Sequence, residues 1–434
     1  TVGLISILIL LGLHQSMVRF MATAKARDEI QEIFYSILFS VVAAASLLSL
    51  ILFYLTDNLA VLLFDSNFAV AEIIPLIVFL ESINWVLFNF FRASQQIKLY
   101  SLFSLISVYL SITLAYYFVT LLGGGILGAV FGLLLSKAAV CLVMLVMVLT
   151  RIGYKVPNFK RIREFMAFSL PLIPSGLSDW VVNSSDRYVI TIFLGTVSVG
   201  YYSPGYLLGN IISMFIAPVA LMLPVVLSQH YDEKNMDSVN TILRYSLRYY
   251  LAIALPSVFG LSMLSWPILS LLSTKEIADQ GYMITPFVAV SMLLFGVASI
   301  LTNIIFLVKK TKYSAIIWIS AATLNFCLTI FLVPRLDIVG AALATLITFT
   351  FVLASTAYYV MGLLPVRIDG RFILKCLIAS LVMSMVIAFW YPSDLLEIIG
   401  IIIVSTGVYF LVLWLLKGID SKEAKQIKNM FMIG

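Results

Sequence analysis

Thirteen apolar runs follow one another along this chain, and no polar break between them exceeds about 17 residues. They fall near 1–17, 34–55, 73–91, 99–119, 125–149, 165–194, 203–228, 243–272, 282–307, 313–333, 338–361, 372–390 and 396–416. A helix rises 1.5 Å per residue, so about 20 residues cross a 30 Å hydrocarbon layer. Most runs match that length; the first is short and three others run long, 165–194 and 243–272 the longest. Charged residues make up 11% of the 434 and hydrophobic ones 62%, with mean hydropathy +1.09. Water-soluble domains carry about 25% charge, and a chain this apolar lacks the polar surface to face water. The expected fold is an all-α polytopic membrane protein. No soluble domain fits in the breaks.

Charge in the breaks sets direction. Basic residues gather at alternate ends: Arg19, Lys25 and Arg27; Arg92 and Lys98; Arg151, Lys155, Lys160, Arg161 and Arg163; Lys234, Arg244 and Arg248; Lys309, Lys310 and Lys312; Arg367, Arg371 and Lys375; Lys417, Lys422, Lys425 and Lys428. These are 23 of the 27 Lys and Arg. The opposite breaks hold Lys275 and Arg335 together with Asp57, Asp65, Glu72, Glu276, Asp279, Asp337, Asp394 and Glu397. By the positive-inside rule the basic ends are cytoplasmic, so the expected location is the cytoplasmic membrane with the C-terminus on the cytoplasmic side. The net charge of +6 is therefore spread over many loops, and no basic stripe for nucleic acid forms.

An internal repeat is legible. ILGAVFGLL at 126–134 resembles IVGAALATL at 338–346, an offset of 212 residues. Upstream of each, a helix ends near Asn89 or Asn303, followed by Lys98-Leu99-Tyr100-Ser101 or Lys312-Tyr313-Ser314. Two repeated helical lobes around a central cavity, followed by two extra helices, account for this pattern. The expected divisions are 1–150, 151–362 and 363–434. The run 165–194 opens the second lobe and has no counterpart ahead of the first. The expected parent has fourteen helices, with about 45–50 residues preceding residue 1.

A charge at the centre of a spanning helix costs about 2.5–3.5 kcal/mol on the translocon scale, so such residues face a cavity or a partner. Five are present: Glu81, Lys137, Asp179, Asp186 and Arg187. On a helical wheel Ser175, Gly176, Asp179, Asn183, Asp186 and Arg187 share a stripe about 120° wide. One reading is a cavity-facing helix, with Arg187 for an anionic group, Asn183 as a polar lining residue, and Asp179 and Asp186 for an ion or proton. The other is an ion pair that only holds helices together. Glu81 and Lys137 fall near mid-membrane and either pair with each other or divide the work, Lys137 meeting a phosphate and Glu81 responding to protons. Pro171 and Pro174 allow a bend at the start of this run.

Weaker signals have plain readings. Gly124, Gly128, Gly132 and Ser136 repeat every four residues and suit close helix packing. Tyr201, Tyr202 and Tyr206 in GYYSPGY stack on sugars or anchor at the interface, and anchoring is the commoner use. Cys141, Cys327 and Cys376 lie far apart in apolar runs and read as small buried hydrophobes. Neither catalytic carboxylates in pairs, a phosphate-binding loop, metal-ligand spacing nor a cofactor motif is found, so an enzyme is not expected.

The stretch FSLPLIPSGLSDWVVNSSDRYVITIFLGTVSVGYYSPGYLLGNI (168–211) resembles the polysaccharide transporter, or Wzx-type flippase, family. FRASQQIKLYS at 91–101 resembles it as well. The resemblance implies the multidrug/oligosaccharidyl-lipid/polysaccharide exporter superfamily. It implies a flippase that moves a polyprenyl-pyrophosphate-linked oligosaccharide for surface polysaccharide biosynthesis, with Arg187 and Lys137 at the positions of a cationic cavity. The implied partners are the lipid-linked oligosaccharide, membrane lipids, and polysaccharide polymerase and assembly proteins. Two alternatives stay open: an ion-coupled multidrug or cation exporter of the same superfamily, and a non-transporting scaffold for polysaccharide-assembly enzymes.

Overall fold

The computed structural model describes residues 12–21, 24, 26–63, 67–170, 173–308, 310–364, 369–390, 392 and 394–418. Among these residues the regular structure is helical throughout, without strands. This follows from the solvent: in hydrocarbon every backbone N–H and C=O must be satisfied inside its own segment, and the helix does that. The helices are α1 (Leu13–Met21), α2 (Arg27–Tyr54), α3 (Thr56–Leu63), α4 (Phe68–Ala93), α5 (Ile97–Tyr116) and α6 (Gly125–Ile152). They continue as α7 (Ile162–Ser169), α8 (Ile173–Leu194), α9 (Thr196–Asn210), α10 (Ala217–Asp232), α11 (Met236–Met263) and α12 (Ser265–Leu272). The last are α13 (Lys275–Gly281), α14 (Ile284–Leu307), α15 (Thr311–Met361), α16 (Gly370–Phe389) and α17 (Leu395–Leu415).

Eight of these are long and apolar enough to cross a membrane, or up to ten if each of two bent pairs counts as one span. The expected run 1–17 lies largely outside the described residues. The longest runs fold differently: 282–307, equal in length to 203–228, is the single helix α14. Run 165–194 divides into α7 and α8, with residues 171–172 between them outside the description. Run 203–228 bends by 44° ahead of α10, and run 243–272 bends by 66° at Leu264. In α15 the helix breaks at Leu336 and at Asp337, whose φ is +51°, so 313–333 and 338–361 are two helices, as expected from the sequence.

Helix starts follow the polar breaks. Asn67, Asn235, Thr274 and Asp369 each cap the helix they precede, accepting from the amides of Val70, Ser238, Ile277 and Phe372 at 3.1–3.3 Å. Faces turned away from the packed interior are apolar, including Leu50, Phe53, Tyr109, Ile126, Phe389 and Leu396. Such surface is costly in water and ordinary in lipid.

The chain forms two compact units, Thr1–Trp180 and Val181–Gly434, and each has its own apolar core. Within the first, α7 packs on α1: Ser16 Oγ donates to the Phe165 carbonyl at 2.7 Å, and the Phe20 and Phe165 rings lie 5.0 Å apart. Arg161 closes this end by pairing with Glu29 at 3.6 Å and Glu164 at 3.1 Å while lying over both rings. Packing therefore divides the chain at a different place from the repeat, whose second copy was expected to open at residue 151.

Repeat-related positions share detailed geometry. The backbone at Leu55 after α2 (φ −92°, ψ 10°) matches that at Leu264 after α11 (φ −93°, ψ 6°), 209 residues later. Buried Asn89 and Asn303 each donate to the carbonyl four residues back, at 2.8 and 2.9 Å. The turns that follow close alike, Gln96 N to Phe91 O at 2.9 Å and Lys310 N to Ile305 O at 3.0 Å. A Cβ at Gly128 would sit 2.8 Å from the Phe118 carbonyl oxygen, and one at Gly340 would sit 2.5 Å from that of Leu332. Neither position tolerates a side chain, so the glycine run reads as close helix packing. Cys141 and Cys376 are buried as expected. Cys327 is exposed on α15, a correction that costs little where the exterior is lipid.

Candidate functional site

Two charged clusters stand within the helices, one in each unit. In the first, Lys137 Nζ on α6 lies 2.8 Å from Glu81 Oε2 on α4, and both side chains are about one-fifth exposed. Of the two readings of these residues, the direct pair is formed. Asn84, one turn beyond Glu81, donates to the Lys137 carbonyl at 3.1 Å and fixes the register of the two helices. Half-burial preserves the attraction, which surface pairs lose to screening, while leaving one side of the pair open to a ligand.

In the second unit Asp186 and Arg187 part company despite being neighbours in sequence. The Asp186 side chain is 1% exposed and fully engaged. It accepts from the Tyr202 hydroxyl, from the Arg187 amide at 2.8 Å and from the Arg187 guanidinium at 3.3 Å. Arg187 is 27% exposed. Its guanidinium donates to the Asn183 carbonyl at 3.0 Å and lies over the Tyr206 ring at 4.5 Å and the Tyr202 ring at 5.9 Å. A buried acceptor thus aims a partly open cation whose planar faces rest on aromatic rings, an arrangement that lowers the number of rotamers Arg187 samples.

Both of these side chains from the helical-wheel stripe therefore meet α9, Asp186 buried at the Tyr202 hydroxyl and Arg187 partly open over the Tyr206 ring. Asn183 is half-buried beside it and supplies a backbone carbonyl to the guanidinium. The side chains of Asp179, Ser175, Gly176 and Pro174 lie outside the described residues, as does Pro171. Sequence reasoning flagged Tyr202 and Tyr206 for sugars or for the interface. In the structure both are buried, at 0% and 4% exposure, as the partners of Asp186 and Arg187. The spacing of four between them was the available signal, since it places both rings on one helix face. Tyr201 points elsewhere and hydrogen-bonds Glu276. Among the described residues no group of three or more His, Cys, Asp or Glu is placed to hold a metal.

These arrangements can be set against known proteins. Residues 1–230 match the family model described as polysaccharide biosynthesis protein, and residues 171–331 match the MatE model. A probable low-salt glycan biosynthesis flippase of Haloferax volcanii is 24% identical over 299 residues, which is 67% of this chain and 63% of the relative. The chain thus spans less than two-thirds of that relative's length. Among solved structures, the lipid II flippase MurJ in an inward closed conformation superposes with a TM-score of 0.76 at 17% identity, covering 95% of this chain and 91% of that one. An inward-facing multidrug-resistance MATE family transporter of the MOP superfamily gives 0.72 at 16% identity, covering 83% and 88%. At such identities these two likenesses establish the fold.

Proposed function

The chain belongs to the polysaccharide biosynthesis protein family, a multi-pass membrane group with the MOP-superfamily fold, and we propose that it flips a polyprenyl-pyrophosphate-linked oligosaccharide across the cytoplasmic membrane. The observation that carries the reading is the division of labour at Asp186 and Arg187: the acceptor is buried and partnered, and the donor is left partly open. A ligand approaching this helix meets positive charge, which suits a pyrophosphate and repels a drug cation. In the other unit Lys137 plays the same part, with Glu81 as the carboxylate that holds it between turnovers. Basic side chains replace hydration around the diphosphate while the polyprenyl tail stays in lipid.

Alternating access of the two lobes supplies the route. Coupling to an ion or proton falls to Glu81 and Asp179, and Asp186 serves as the anchor of Arg187. The basic ends and the C-terminus are cytoplasmic, where polymerase and assembly proteins have access. Complementation of a flippase-null strain tests this reading. The wild-type chain restores surface glycan, and Arg187→Ala lowers it at least tenfold while the protein still reaches the membrane. Restored drug resistance without surface glycan refutes it in favour of a cation exporter, the reading that the MatE match over 171–331 supports. Full glycan export by Arg187→Ala and Lys137→Ala points to a scaffold.

A further inference from the structure

The second unit carries an elaboration that the first lacks. Helices α2 and α11 end at the repeat-related Leu55 and Leu264 with nearly the same backbone angles, and both are followed by a short helix, α3 or α12. In the first unit α4 begins at Phe68, five residues after α3 ends. In the second, α14 begins at Ile284, twelve residues after α12 ends, and α13 occupies the difference. The offset between copies changes accordingly, from 209 at Leu55 and Leu264 to 214 at Phe91 and Ile305. Packing of the lobe does not require this insertion, since the first unit makes the same helix end and the same following turn without it.

The insertion borders an open recess of about 550 Å³ lined by Ser262, Met263, Ser265, Trp266, Asp279 and Tyr282. The indole N–H of Trp266 donates to Asp279 Oδ1 at 2.6 Å and fixes the carboxylate. Asp279 lines the recess and is exposed, which leaves its carboxylate acceptor capacity beyond the Trp266 bond. The hydroxyls of Ser262 and Ser265 donate back to the Val258 and Ser262 carbonyls, at 2.6 and 3.0 Å; Ser265 is buried, and the half-buried Ser262 is the hydroxyl with acceptor capacity at the recess. A half-buried indole, a tyrosine and a thioether supply apolar faces beside these acceptors.

Aromatic faces next to fixed acceptors suit one ligand chemistry in particular. A pyranose has an apolar C–H face that packs on a ring and hydroxyl protons that seek a carboxylate. The connector carries Glu276 and Asp279 against Lys275, so a diphosphate or an acidic headgroup is disfavoured here. We propose that the recess between the end of α11, α12 and α13 binds a neutral sugar ring, stacked on Trp266 and hydrogen-bonded to Asp279. Its place in the charge alternation is the non-cytoplasmic end. Resting on the flippase reading, the site receives a sugar of the glycan as it emerges, well separated in chemistry from the cationic residues that hold the diphosphate.

The test uses the full chain in lipid nanodiscs and saturation-transfer NMR with methyl glycosides of glucose, galactose, mannose, rhamnose, N-acetylglucosamine and N-acetylgalactosamine. At least one gives a saturable signal from its ring C–H protons. Trp266→Ala weakens it fivefold or more, Trp266→Phe retains part of it, and Asp279→Asn weakens it with folding intact by size-exclusion profile. A wild-type chain that binds none of the six, or a Trp266→Ala chain that binds them as well as wild type, overturns the proposal. Surface-glycan complementation run in parallel separates the two ideas. Export without sugar binding removes the recess and leaves the flippase; Trp266-dependent binding without export does the reverse.

Discussion

The same pair of helices crosses at the heart of each unit, and the two units fill that crossing with opposite chemistry. In the first, Glu81 on α4 meets Lys137 on α6 at 2.8 Å. Carried through the repeat by the offsets of 214 and 212 residues, those positions are Phe295 on α14 and Phe349 on α15. Their rings pack edge to face at 5.6 Å, with Trp318 against both. The second unit therefore shows what the crossing needs for packing alone, which is apolar volume. An ion pair in such a place pays a desolvation cost that apolar side chains avoid, and replacing buried pairs by well-packed hydrophobes is often neutral or stabilising. The contrast supports our proposal that the charges in the first unit serve transport, with the aromatics in the second serving support.

The largest effect should come from splitting the ion pair. Lys137→Ala leaves Glu81 unpaired in an apolar setting and lowers stability by about 3–5 kcal/mol, read as a drop in the thermal midpoint of the purified protein. The Glu81→Phe, Lys137→Phe double variant transplants the second unit's solution; it regains most of that stability and exports no glycan. Normal export by this variant would erase the contrast between the units. Next in size, Phe349→Ala costs about 2 kcal/mol, below the range for water-soluble cores because lipid also accommodates the uncovered surface, and export falls only as far as the protein level does. A selective loss of transport with stability unchanged would give the aromatic cluster a direct role.

Tyr202→Phe removes a donor from buried Asp186 and costs about 1–2 kcal/mol. It also frees Arg187 from its fixed position, so export should fall more than stability does; equal losses would reduce the cluster to scaffolding. The smallest effect lies outside the spans, where Asp369 caps α16 and pairs with Arg244 at 3.2 Å. Partial burial pushes its carboxyl up, but the Phe372 amide and Arg244 outweigh this and hold it below 3.8. A depressed carboxylate stabilises the fold above its unfolded value, and that contribution disappears as pH falls through the folded value. Asp369→Asn should cost about 0.5 kcal/mol near neutrality and progressively less as pH falls below the ordinary aspartate range. A difference that does not shrink with acidification would mean that something other than this charge is at work.

Hydropathy made the spans legible because lipid demands length. Runs 203–228 and 243–272 are bent, whereas 282–307, as long as the first of these, is the single helix α14, so surplus length alone did not mark a break. The sequence did not say where each break falls, since Leu264 carries no mark that other leucines lack. At the charged clusters, residue type located Glu81, Lys137, Asp186 and Arg187, but direction was illegible. A wheel at 100° per residue cannot tell Asp186 turned toward Tyr202 from Arg187 turned over Tyr206, because neighbours 100° apart lie within one broad stripe. Trp266 and Asp279 escaped notice for a different reason: their pairing depends on a bend and an inserted turn, and neither has a periodic signature.

The joint inside α15 has a consequence for how the chain is built. Only Leu336 and Asp337 depart from helical geometry between two apolar helices, and Gly340 brings the second helix against the carbonyl of Leu332. Such a joint offers no slack in which one helix can enter the bilayer and wait for the other. We expect the two to insert as a closed pair with Arg335 and Asp337 at its tip. A glycine in place of Asp337 relaxes the backbone there, whereas lengthening the joint would let the pair separate during biogenesis.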